Sequence, residues 1–149
     1  MQTHIIPPFH FVQAFGAVTI AFIYILLSSL IKEPERQKAS AVILSGAGAA
    51  YLSSGLGVWE FAFCTLITFI AYKGLTAYYL IGIGWLLHAS WDLVHHLYAN
   101  PIVVMSPSSS AGCAVCDPVI AIWFFMGAPN VFNWFREKRV TGFTIDKAQ

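Results

Sequence analysis

Charge is the scarcest commodity in this chain. Of 149 residues, 8 are basic and 7 acidic, so charged residues make up only 10%. A soluble domain carries about 25%, and so few charges cannot clothe a globule of this size in water. The net charge of +1 lacks the basic footprint that nucleic acid requires. Three cysteines are too few for a disulfide scaffold. Met1 to Pro8 has no basic n-region, and the first apolar run has no early small-residue cleavage site, so no cleavable signal peptide is expected. There is no internal repeat and no G-x-S-x-G elbow, and Ser108-Ser109-Ser110 reads as loop rather than nucleophile. What is abundant is apolar surface, at 58% with 15% aromatic and a mean hydropathy of +0.69. That content excludes disorder and predicts an integral membrane protein.

A bilayer core of about 30 Å takes about 20 apolar helical residues. The chain offers about five such segments in one membrane domain, an all-α polytopic bundle with spans at about 10–31, 39–56, 58–72, 78–98 and 112–128. Lys32-Glu33-Pro34 ends the first, because proline bars helix continuation. The second is rich in Gly, Ala and Ser, which let helix backbones approach closely, and it is expected to be the inner packing element. Lys73-Gly74 closes the third and Asn100-Pro101 the fourth. After the fifth, residues 130–140 suit a helix lying in the interface, with Trp134 and Phe135 as anchors and Arg136, Lys138 and Arg139 for headgroups. With this span count all eight basic residues fall on one side. The positive-inside rule makes that side cytoplasmic, the amino terminus outside and the carboxyl terminus inside. A re-entrant hairpin of spans two and three would preserve the same sidedness. The expected location is the bacterial cytoplasmic membrane.

The remaining ionisable groups gather away from the basic side. All five histidines (His4, His10, His88, His95 and His96) map to the outer half or middle, as do Glu60, Asp92 and Asp117. Ionisable groups inside spans cost about 2.5–3.5 kcal/mol each on insertion scales and mark pathways or sites. Their centre is span four. At about 100° per residue, His88, Asp92 and His95 stand within about 60° of one another, and His96 widens the arc to about 100°. Such a stripe converges imidazole nitrogens and a carboxylate as metal binding requires. His88, Asp92 and His95 are therefore the candidate ligands for a divalent metal, zinc or iron. Glu60, Asp117 or His96 would complete the shell or act as general base. His10, Glu60 and Asp117, at the outer ends of their spans, are expected at the depth of His95 rather than of His88. His4 and His10 read as interfacial.

The same residues also fit blander roles. The stripe can fix helix pairing through interhelical hydrogen bonds, with Asp92 holding a histidine tautomer. Asp117-Pro118 suits a helix N-cap followed by proline at the first helical position, and Glu60 suits a helix N-terminus. Cys113-Ala114-Val115-Cys116 has redox spacing, but packing explains it as well, and Cys64 reads as packing. Trp85 and Trp91 flank the stripe and suit either a pocket wall or the core. An interfacial belt accounts for Trp59.

Gly46 to Glu60, the stretch Trp85 to His96 with its Trp-Asp-x-x-His-His element, Asn100-Pro101, and Gly112-Cys113 with Asp117 together resemble a small bacterial membrane family classed as domain of unknown function 6010. The likeness runs from about Glu33 to Pro129 and implies a compact membrane protein, with no activity to carry over. Cys116 departs from it, standing where a larger apolar residue is expected. Asp92-x-x-His95-His96 is also similar to the histidine boxes of membrane di-iron desaturases, although five histidines are too few for their full set. Ser53 or Ser54 with Asp92 and the histidines looks like membrane zinc hydrolases of the alkaline ceramidase type, which have more spans. The expected function is a metal-dependent membrane enzyme, a hydrolase or an oxidoreductase, acting on a lipid-like substrate. Alternatives are a proton-relay or small-solute transport protein, or a structural membrane subunit. A homodimer is the expected assembly, because so little protein surrounds a buried cavity.

Overall fold

The structure, a computed structural model, describes residues 6–52, 55–103 and 105–133. His4, Ser53, Ser54 and most of the segment expected at 130–140 lie outside the described residues. The described chain is all-helical: α1 (Phe11–Leu30), α2 (Glu35–Ala49), α3 (Val58–Gly74), α4 (Tyr78–Leu97) and α5 (Ser109–Phe125), with a further helical turn opening at 131–133.

Local chemistry sets the boundaries. At the start of α1 the Gln13 Oε1 accepts the His10 backbone N–H at 2.7 Å, meeting one of the orphan donors of a helix N-terminus. Helix α2 starts at Glu35, earlier than the expected 39, because its polar first turn finds partners. The Arg36 guanidinium meets Glu33 and the Tyr78 hydroxyl, and Gln37 Nε2 donates to the Gly74 carbonyl at 2.8 Å. It ends at Ala49 rather than near 56, since the turn into α3 needs Gly55 and Gly57 at φ +103° and +64°, angles open to glycine at little cost.

Helix α5 departs furthest from expectation. It begins at Ser109, so Asp117-Pro118 sits two turns inside rather than at its start. Pro118 removes the N–H that the Ala114 carbonyl would accept, and α5 nevertheless continues to Phe125.

The helices run up and down. The α1–α2, α3–α4 and post-α5 turns share one end, tied by Tyr78 to Glu33 and by Asn130 Nδ2 to the Ser29 carbonyl at 2.7 Å. At the opposite end Gln13 Nε2 reaches Ser108 Oγ at 2.7 Å. The described basic residues, Lys32, Arg36, Lys38 and Lys73, all belong to the first end.

The hub of the bundle is α4, which packs against α2, α3 and α5, rather than the small-residue α2 expected there. Glycines on α4 account for this. A Cβ on Gly82 would lie 2.8 Å from Phe125 of α5, and one on Gly84 would overlap Leu44 of α2; Gly48 of α2 has the same relation to Ile67 of α3, at 2.8 Å. Large apolar side chains stand exposed on every helix, among them Phe15, Val42, Trp59, Leu86 and Ile122. By length and composition α1 is the one described helix that is long and apolar enough to cross a membrane.

Candidate metal centre

The inward stripe of α4 carries Trp85, His88, Asp92 and His95, all buried, with Asp92 and His95 at 0% exposure. Their spacing of three and four residues stacks them on one face of the helix, which the hub position of α4 turns toward its neighbours. His88 Nδ1 lies 3.0 Å from Asp92 Oδ2 on its own helix and 2.8 Å from Asp117 Oδ2 on α5. One ring nitrogen thus stands between two carboxylates, and ligand atoms of the three residues fall within 4.8 Å of one another. Aromatic rings enclose the imidazole: Tyr51, Trp85 and Phe63 have centroids 5.7, 5.8 and 6.0 Å from it.

The depth expected for Asp117 needs correcting. It meets His88, not His95, because α5 starts eight residues before it, about 12 Å of helix at 1.5 Å per residue. For the same reason Asp117 is no N-cap.

The expected ligand trio is also divided. His95, two turns further along the same face, lies outside the His88–Asp92–Asp117 group and pairs with Glu60, the closest approach being Nε2 to Oε1 at 3.2 Å, without the alignment of a hydrogen bond. Glu60 Oε1 accepts the Leu56 backbone N–H at 3.1 Å, and its Oε2 accepts Trp91 Nε1 at 3.2 Å. Trp91 in turn stacks on Phe63, centroids 4.7 Å apart and planes within 9°. His96 is half-buried, and among the described residues it makes no hydrogen bond or ion pair with a carboxylate. His10 stands exposed at the start of α1.

Tyr51 joins the two clusters. Its hydroxyl donates to Asp92 Oδ1, and its ring stacks on His95 at 4.0 Å. It is fully buried, and sequence reasoning passed over it. The signal available was a lone phenol in a run of Gly, Ala and Ser, where packing alone would favour another small residue. Cys113 and Cys116 are free thiols on the turns of α5 just before Asp117, within electrostatic range of Asp92 and Asp117. Cys64 is also free.

One imidazole and two carboxylates form a donor set suited to a borderline or hard divalent cation. Ligands at about 2.0–2.1 Å in tetrahedral array sit about 3.3 Å apart. The observed 2.8 and 3.0 Å therefore need only a small opening to admit an ion. The other ring nitrogen, His88 Nε2, is buried and has no partner among the described residues.

A family model described as "Family of unknown function (DUF6010)" matches residues 12–130. No curated protein and no solved structure matches the chain.

Proposed function

The chain belongs to this family of unknown function, and for it we propose a five-span membrane protein with a metal centre at its middle, acting as a metal-dependent enzyme on a lipid-like substrate. The observation that carries the reading is the convergence of His88 Nδ1, Asp92 and Asp117 within 4.8 Å, all buried, in a bundle whose outer face is apolar. Helices of 15 to 20 residues span about 22 to 30 Å. The exposed Phe15, Val42, Trp59, Leu86 and Ile122 suit acyl chains far better than water. The basic end is cytoplasmic by the positive-inside rule, in a bacterial inner membrane, with the Glu60–His95 pair toward the outside and a second copy of the chain as the partner in a homodimer.

In this reading His88, Asp92 and Asp117 would hold zinc or ferrous iron, and the ion would supply Lewis-acid activation of water. Tyr51 fixes Asp92 through its hydroxyl. Glu60 and His95 form an adjoining acid–imidazole pair placed to accept a proton, so the pair takes the general-base role. His95 therefore leaves the ligand set that the stripe alone suggested, and Asp117 enters it. The chemistry favoured is hydrolysis, because two carboxylates and one imidazole retain open positions for water.

Elemental mass spectrometry of the detergent-purified protein tests the centre. About one zinc or iron per chain is expected, lost in Asp117→Ala and His88→Ala with helical circular dichroism retained. Wild-type protein that is folded but takes up neither ion rejects the reading. The hydrogen-bonding distances at His88 Nδ1 favour one alternative, a proton relay in which the acid–imidazole–acid set exchanges protons without an ion. Proton flux in liposomes, abolished by Asp92→Asn in metal-free protein, would select it. A structural subunit, in which the stripe only fixes helix pairing, predicts neither metal nor flux.

A further inference from the structure

Among the described residues, the buried polar side-chain atoms without partners fall on either side of the acid–imidazole centre, with His95 Nδ1 and Nε2 and His96 Nδ1 toward one end and the rest toward the other. The four of the second group are His88 Nε2, Trp85 Nε1, the Tyr24 hydroxyl and Arg36 Nη1. Trp85 lies one turn below His88 on α4, their rings 5.8 Å apart. Tyr24 of α1 meets Trp85 edge-on at 5.9 Å. The Tyr24 hydroxyl lies within reach of Ser28 and Ser40 but is aligned with neither. Ser28 and Ser40 are buried, and Ser40 stands one turn above Arg36 on α2, whose side chain is only 7% exposed. These four groups thus sit on residues that follow one another down the interior, from the acid–imidazole centre to the end of the bundle that bears the basic residues. Along α4 that distance, from His88 to Tyr78, is about 15 Å.

An unsatisfied buried polar group costs about 1–3 kcal/mol, and four in sequence along one path are costly unless something meets them. Internal water meets such groups where two to four polar partners surround it. We infer that a file of bound water molecules runs from His88 Nε2 past Trp85 Nε1 and the Tyr24 hydroxyl to Ser28, Ser40 and Arg36. It satisfies the second nitrogen of His88 and connects a centre otherwise enclosed by rings to the Arg36 end. A hydrolytic centre consumes water, and this one is sealed, with His88, Asp92 and Asp117 at 4%, 0% and 3% exposure. The file is the route by which water and protons reach it. That use rests on the proposed function, whereas the existence of the file does not.

Millisecond X-ray hydroxyl-radical footprinting of the full chain in lipid nanodiscs, read by mass spectrometry, tests this directly, because radicals born from bound water oxidise the side chains beside it. Trp85 should be oxidised despite its burial. Ser40→Val and Tyr24→Phe should each lower that oxidation several-fold, with oxidation of the exposed Met105, in the connection between α4 and α5, unchanged. Unmodified Trp85 in wild type overturns the inference. So does oxidation of Trp85 that neither substitution reduces, since water would then arrive elsewhere. Using two substitutions guards against one that fails to fold. Running the experiment with and without added zinc separates the file from the metal centre, because the labelling pattern is expected in either case.

Discussion

The Arg36 cluster and the His88 cluster are built from similar groups at different depths. At the end of the bundle one guanidinium meets one carboxylate, Glu33, with the Tyr78 hydroxyl donating to the same oxygen. The Glu33 side chain is 44% exposed, so water shares the work and the charges balance. At the middle, two carboxylates flank one imidazole nitrogen, a phenol donates to one of them, and nothing exceeds 5% side-chain exposure. Valence does not balance there: even a protonated imidazole leaves one negative charge over if both acids are ionised. A bundle that needed polarity only to pair helices would have matched acid to base, as at the Arg36 end. The surplus of acid in the buried middle is what a bound cation or an exchangeable proton would offset.

Removing an acid from the middle should therefore have the largest effect. Asp92→Ala removes the acceptor of the Tyr51 hydroxyl and one of the two carboxylates on His88 Nδ1, leaving Asp117 alone there, and breaking a buried pair costs about 3–5 kcal/mol. A large drop in the thermal midpoint in detergent is expected, together with loss of metal. Asp92→Asn retains hydrogen bonding and should cost less stability while still losing the metal. If Asp92→Ala were as stable as wild type, the two clusters would not differ as argued.

The inward stripe was legible in the sequence because a helix fixes the directions of its own residues. His88, Asp92 and His95 needed only the 100° rule to be placed on one face. What the stripe could not reveal was which neighbours it would meet. That depends on the axial register of α5, set by where the helix starts, and Asp117-Pro118 imitates a start. With the true start at Ser109, Asp117 slides to the level of His88 and His95 is left to Glu60. Tyr51 was hidden for a different reason: it lies past the end of α2, on a turn whose path follows from glycine torsions rather than from periodicity. The hub role of α4 depended likewise on Gly82 and Gly84 facing Phe125 and Leu44, a pairing of surfaces that composition does not encode.

Two glycines sharpen the contrast between the packed interior and the outer face. A methyl group on Gly84 would overlap the end of the Leu44 side chain, which is fully buried and would have to shift against packed neighbours. Overpacking of this kind costs about 1–3 kcal/mol, so Gly84→Ala should lower the thermal midpoint. Gly16 on α1 is a helical glycine with nothing within 4 Å of the added carbon. Gly16→Ala should instead stabilise by up to about 1 kcal/mol through helix propensity. Opposite signs for one chemical change, read in parallel melts, would confirm which face of each helix is packed. Equal signs would place one of the two helices wrongly.

The smallest effect belongs to the basic end. Lys38 Nζ lies 2.7 Å from Glu35 Oε1, one turn apart on α2, with the two side chains 54% and 67% exposed. Exposed pairs at this spacing contribute about 0.3–0.5 kcal/mol, and salt screens them further. Glu35→Gln should therefore leave the thermal midpoint almost unchanged, and the small difference should vanish in high salt. Lys38→Ala should be as mild for stability, yet in the proposed topology it removes one of the charges that would set sidedness. Its effect is expected in a topology assay, as a minor fraction of inverted chains, rather than in a melt. A large loss of stability from either substitution would mean that this end is as shielded from bulk solvent as the middle, and the distinction between the two clusters would collapse.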